Sequence, residues 1–158
     1  TEQVAAFAVK QAEAGADIVS ISVPTATGEV LGPKMFVEYA VPYLNKVLDA
    51  LPDDVFTIVH ICGRMQAVLK EFDAVKADAL SFDSYVPISK VKEVLGHRVV
   101  MGNVSTYSLE FMDPEKIRSL TRNTINNGTD IVAPACGIGM KTPIENLKAM
   151  LEEVKEED

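Results

Sequence analysis

Two hydrophobic periods alternate along this chain, and that alternation restricts its fold more than any other feature. Short apolar runs at 17–23, 55–60, 79–83, 98–104 and 130–134 read as strands. Between them, apolar residues recur at helical spacing. Val4, Ala8 and Ala12 lead to Gly15, and Val37, Val41, Leu44, Leu48 and Leu51 follow the first strand. Pro42 lies inside that second pattern and should kink the helix or split it. Residues 65–74 and 88–95 read as shorter helices, the second ended by Gly96. Asp113 caps a helix with Pro114 at its first position and Gly128 beyond its end. Thr142-Pro143-Ile144-Glu145 has the form of a capping box opening a last helix, which should fray into an acidic tail. The spacing therefore predicts one helix followed by five β-α units.

The strand runs are nearly continuous in apolar residues, as expected when helices cover a parallel sheet. Two α/β architectures fit: an open, doubly wound sheet, or part of a (β/α)8 barrel. A whole barrel needs about 250 residues, so the 158 residues here would supply five of its eight units. The polar residues decide between them. His60 with Cys62, Asp83, Asn103 and Cys136 stand at or just beyond the C-terminal ends of four consecutive strand runs. A barrel gathers its active site from several strands at that rim, whereas an open sheet concentrates its ligand at one switch point. The reading is part of a single barrel domain, residues 1–158 supplying about five of its β-α units.

Charge and cysteine content exclude several classes. The net charge of −8 argues against a nucleic-acid surface. Half of it lies in Glu152 to Asp158, which hold five acids and one lysine. No stretch of about 18 apolar residues suggests a membrane span. The chain begins Thr1-Glu2-Gln3, without Met or a signal pattern, and reads as starting inside a longer one. Two cysteines without a secretion signal point to a reducing, cytoplasmic setting.

The chemistry centres on His60-Ile61-Cys62. In an extended segment, residues two apart point the same way, so both side chains can approach one metal ion. Cys136, on another strand end, can complete the set. Two thiolates and an imidazole suit Zn2+ and leave a fourth position open, as catalytic zinc requires. The same residues also read as a small buried hydrophobe and a hydrogen-bonded histidine. Asp83 can orient an imidazole, serve as a fourth ligand or act as acid or base, or simply cap a turn. Asn103 after Gly102 reads as a ligand-facing amide or as a turn residue. Gly137 and Gly139 let the backbone approach a ligand closely. With Lys141 and the amides opening the last helix, they read as a small-anion site near Cys136, or simply as a well-capped helix after a tight turn with a solvated lysine. The spacing is not that of a phosphate-binding loop. Arg64 is a solvated loop cation that could meet an anionic substrate, and His97 stands at the wrong end of its strand and reads as surface.

His60-Ile61-Cys62-Gly63, Ser81-Phe82-Asp83, Met101-Gly102-Asn103-Val104 and Ala133-Pro134-Ala135-Cys136-Gly137-Ile138 together resemble the uroporphyrinogen decarboxylase superfamily. Within it, the methylcobalamin:coenzyme M methyltransferases of methanogens look most similar. Gly128-Thr129-Asp130-Ile131 and Thr142-Pro143-Ile144-Glu145-Asn146-Leu147 fit as well. The resemblance covers essentially the whole chain and aligns it with the C-terminal half of the family, strands four to eight of a (β/α)8 barrel. It implies a zinc site at His60, Cys62 and Cys136. It also implies an enzyme of methanogenesis from methylated C1 compounds. Zinc would hold coenzyme M as a thiolate, which takes the methyl group of methylcobalamin carried on a corrinoid protein.

Two other readings compete. One is a metal-free decarboxylase relative acting on a tetrapyrrole, with Asp83 as its polar catalytic residue. The other is an inactive partial barrel that only binds, pairing with itself or a partner through open sheet edges.

Overall fold

The computed structural model describes residues 1–157 and divides into two compact units, Thr1–Leu80 and Ser81–Asp158. Five strands, β1 (Ile18–Ser22), β2 (Phe56–Ile61), β3 (Ala79–Phe82), β4 (Val99–Val104) and β5 (Ile131–Pro134), follow one another in sheet order. β1 pairs with β2 and β4 with β5, both parallel, with Ser22 opposite His60 and Asn103 opposite Ala133. The alternation of strand and helix predicted from hydrophobic period is what the chain forms.

In the first unit, α1 (Glu2–Glu13) and α3 (Val41–Leu48) cover β1. Ala8, Val19, Val47 and Leu51 form the shared core. The expected split at Pro42 occurs. The chain passes through α2 (Gly32–Met35) and a π-helical turn, Phe36–Ala40, and Pro42 then lies in the first turn of α3. The wider π turn just before it accommodates the N–H that Pro42 lacks. The helix expected over 65–74 is shorter, a 3-10 turn at Gln66–Val68 and α4 at Leu69–Phe72. Ala74 and Val75 donate to carbonyls three residues back, Glu71 and Phe72, and this tighter winding turns the chain toward β3.

In the second unit, α5 (Ile88–Leu95), α6 (Thr106–Phe111), α7 (Pro114–Asn126) and α8 (Ile144–Glu157) accompany the strands. Val104, Leu109, Ile117, Ala149 and Met150 make the core. The Asp113 cap forms, its Oδ1 accepting from Lys116 N at 2.9 Å. Gly128 follows α7 at φ +91°, the left-handed region that favours glycine. α6 has no counterpart in the sequence reading; Ser105 caps it by accepting from Ser108 N at 3.3 Å.

Two expectations for α8 are corrected. Thr142 does not form the capping box: its Oγ1 is buried and makes no hydrogen bond, and the helix opens at Ile144. Nor does the helix fray, because it continues through Glu157. Arg118 pairs with Glu152, and Arg122 reaches Glu153 at 2.6 Å, with Glu153 only 1% exposed. Cations on α7 thus draw part of the acidic segment into the helix pair. Asp158 lies outside the described residues. Among the described residues, no helix is long and apolar enough to cross a membrane.

An aspartate stands one residue before three of the strands, in Ala16-Asp17-Ile18, Ala77-Asp78-Ala79 and Thr129-Asp130-Ile131. Asp78 Oδ2 accepts from the backbone N–H (2.7 Å) and the hydroxyl (2.8 Å) of Thr57, at the start of β2. Asp130 Oδ2 accepts from Val100 N (2.8 Å) and Lys92 Nζ (2.9 Å), at the start of β4. Asp17 does the same work with its carbonyl, which accepts from Phe56 N at 3.0 Å. Each pins a strand start to its neighbour.

At Asp130, partial burial opposes the charged form, but the Lys92 hydrogen bond, the Val100 N–H and the Lys92 charge outweigh it. They hold the carboxyl below its ordinary range. A depressed pKa in the fold means stability that is present above the unfolded pKa and lost as pH falls through the folded one. Thermal melts of Asp130→Asn from neutral to acid pH are therefore expected to show a flatter acid limb than the parent. An unchanged limb would remove Asp130 from the acid transition.

Candidate metal centre

β2 delivers the first two candidate ligands. His60 is its penultimate residue, 9% exposed, and Cys62 follows the last, Ile61. Their i, i+2 spacing places both side chains on one face, and His60 Nε2 lies 3.2 Å from Cys62 Sγ. The backbone around them is fastened to the exit of β1. Val23 N donates to His60 O at 2.9 Å, and Gly28 N donates to Arg64 O at 3.1 Å. Gly63 turns the chain at φ +76°. Arg64 pairs with Glu29 at 3.7 Å, both well exposed, so this loop cation is balanced at the surface.

Cys136 comes from the loop after β5. Ala135 N donates to Val104 O at 2.8 Å, which extends the β4–β5 pairing one residue further and leaves Cys136 exposed at its end. Within the first unit, His60 and Cys62 thus set an imidazole nitrogen beside a soft sulfur, both donors that zinc prefers. Cys136 is the other soft donor, just past the end of β5 in the second unit.

Asp83 follows β3, whose four residues are all buried. Its Oδ1 accepts from Ser84 Oγ at 3.2 Å and Tyr85 N at 3.3 Å, an Asx turn at the strand exit. Asn103 reaches this turn from β4. Its Nδ2 donates to the carbonyls of Asp83 (2.9 Å) and Val86 (2.7 Å). Both amide hydrogens are therefore engaged with backbone, and Asn103 shapes the loop that carries Asp83. Gly102 makes this approach possible, with φ +135° and Phe82 O only 2.9 Å from where a side chain would begin.

Gly137 has open space around it, and Lys141 is exposed. Gly139 is crowded: a methyl group there would lie 2.1 Å from Glu110 Oε2. Nothing in the strand-end pattern pointed to Glu110, which sits on the unpredicted α6. His97 is exposed just before β4, away from the C-terminal strand ends.

The sequence matches the family described as Uroporphyrinogen decarboxylase (URO-D) over residues 1–157. It is 32% identical over 149 residues to the methylcobamide:CoM methyltransferase MtbA of Methanosarcina acetivorans, covering 93% of this chain and 44% of that protein. It is 31% identical over 154 residues to the methylcobamide:CoM methyltransferase MtaA of Methanosarcina barkeri, covering 96% and 45%. Among solved structures, a methyltransferase from Methanosarcina mazei superposes with a TM-score of 0.91 at 30% identity, over 98% of this chain and 46% of that one. The chain thus spans a little under half the length of each of these relatives.

Proposed function

The chain belongs to the uroporphyrinogen decarboxylase family, and from that premise we propose that residues 1–158 are the C-terminal part of a single barrel domain. The whole protein would be a zinc-dependent methyltransferase, moving a methyl group from methylcobalamin on a corrinoid protein to the thiol of coenzyme M. The observation that carries this reading is His60 Nε2 lying 3.2 Å from Cys62 Sγ at the end of β2, with Cys136 proposed as the third donor. A metal-free decarboxylase has no need of two thiols beside an imidazole.

His60, Cys62 and Cys136 would hold the metal. Zinc, when bound, lowers the pKa of a coordinated thiol and so keeps it ionised at neutral pH. The protein's own part is to hold that thiol and its anionic end. Asp83 offers a carboxylate at the rim, steadied by Asn103. The sulfonate of coenzyme M fits Lys141 and the opening amides of α8. Those amides are not taken by Thr142, whose hydroxyl makes no hydrogen bond.

The deciding measurement is zinc competition against a chromophoric chelator, using the reduced chain. One equivalent retained with release of protons is expected, because thiolate ligands form from thiols. No retained zinc would overturn the metal reading and restore the metal-free alternative. In the full-length protein, Lys141→Ala is expected to weaken coenzyme M binding about 2–5-fold, the value of one exposed charge near a helix terminus. Unchanged affinity by calorimetry would remove Lys141 from the account.

A further inference from the structure

Cys136 begins a loop that runs to α8 and is largely exposed, with Ile138 and Met140 both turned out to solvent. Such a loop has to be held from outside if its first residue is to stay in place. Its upstream end is held by the Ala135–Val104 backbone bond. Its downstream end is held by Asn146, which is 1% exposed and donates through Nδ2 to Leu109 O (2.9 Å) and Met112 O (2.7 Å). Those two carbonyls flank Glu110 in sequence, so the end of α6 is fixed against the start of α8.

Glu110 closes the middle. Its Oε2 occupies the space beside Gly139 that a side chain would fill, 2.1 Å from the ideal Cβ position, with Cδ at 3.2 Å. Thr142 Oγ1, buried and without a hydrogen bond, lies 3.6 Å from the same point. Thr142 N donates to Gly139 O at 3.1 Å, so the turn wraps this spot. No positive φ demands glycine at 139; the demand is for room.

We propose that Glu110 is a positioning residue. Its carboxylate, seated where Gly139 has no side chain, holds the 136–142 loop and thereby fixes Cys136. This rests on the reading of Cys136 as a zinc ligand, and it adds a group outside the ligand set that the ligand set depends on. It also makes Gly139→Ala a mild way to unseat Glu110, because the new methyl meets only the far end of a flexible side chain.

The test is hydrogen exchange read by mass spectrometry on the reduced, chelator-treated chain, with the amides of β2 as internal reference. Glu110→Ala and Gly139→Ala should each raise exchange over residues 137–142 about 3–10-fold, as losing the packing of one side chain shifts a local opening equilibrium. The double variant should exceed neither single by more than about twofold, since both remove one contact. Glu110→Gln keeps the shape and should stay near the parent. In a zinc titration, Glu110→Ala should weaken affinity about 10–100-fold, with Gln restoring it. Rates unchanged in both singles, multiplied effects in the double, or Gln behaving as Ala would each overturn the proposal. A parent chain that binds no zinc would remove the metal reading, while the exchange comparison would still decide the role of Glu110.

Discussion

Replacing Cys136 by serine is expected to weaken zinc binding by more than about 100-fold, because even groups that merely orient a ligand are worth about 10–100-fold. The sulfur is a soft donor that zinc binds as a thiolate, whereas a serine hydroxyl is a hard and weak one. Cys62→Ser and His60→Ala should lose as much, since the proposed set takes one bond from each residue. His97→Ala is the control: it is exposed, lies before β4 and is not part of that set. Cobalt substitution gives a second readout, because the thiolate-to-metal absorption should fall with each cysteine removed. Retention of parent affinity in either cysteine variant would sink the assignment of that residue. Retention in both would return the cysteines to the role of small hydrophobes.

The parallel α/β sheet was legible because its signals are local. A buried parallel strand is an apolar run of a few residues, and a polar residue at its C-terminal end stands out against that run. His60, Cys62, Asp83, Asn103 and Cys136 stand out as candidates in that way. What escaped were features set by distant partners. Glu110 looks like any exposed helix acid until α6 is placed beside Gly139. Asp78 and Asp130 look like loop residues until the strands of Thr57 and Val100 are adjacent. Their recurrence before strands is visible in sequence, but at spacings no fixed period reveals. Glu153 reads as part of a solvated tail, and only the Arg122 side chain across the α7–α8 pair explains its burial. Thr142 shows the opposite failure: a local capping pattern was present, but the loop around Glu110 took the residue elsewhere.

Gly102→Ala is expected to destabilise the fold by roughly 2–4 kcal/mol, from an unfavourable backbone region and a steric conflict acting together. The φ of +135° lies where an L side chain is strained. The added methyl would meet Phe82 O at 2.9 Å, a backbone atom in buried β3 that has nowhere to go. This differs from Gly139, where the obstructing atom ends a flexible side chain. The cost should also reach the rim, because Asn103 is the next residue and its amide secures the Asp83 and Val86 carbonyls. Hydrogen exchange at 83–86 should therefore quicken more than at residues of α8. Gly137→Ala, with nothing within 4 Å of its new methyl, should change stability by less than about 0.5 kcal/mol. Urea denaturation of the two variants separates the cases. Equal midpoints would mean that β4 can shift away from Phe82 without loss, and that the close approach at Gly102 does not hold the Asp83 turn in place.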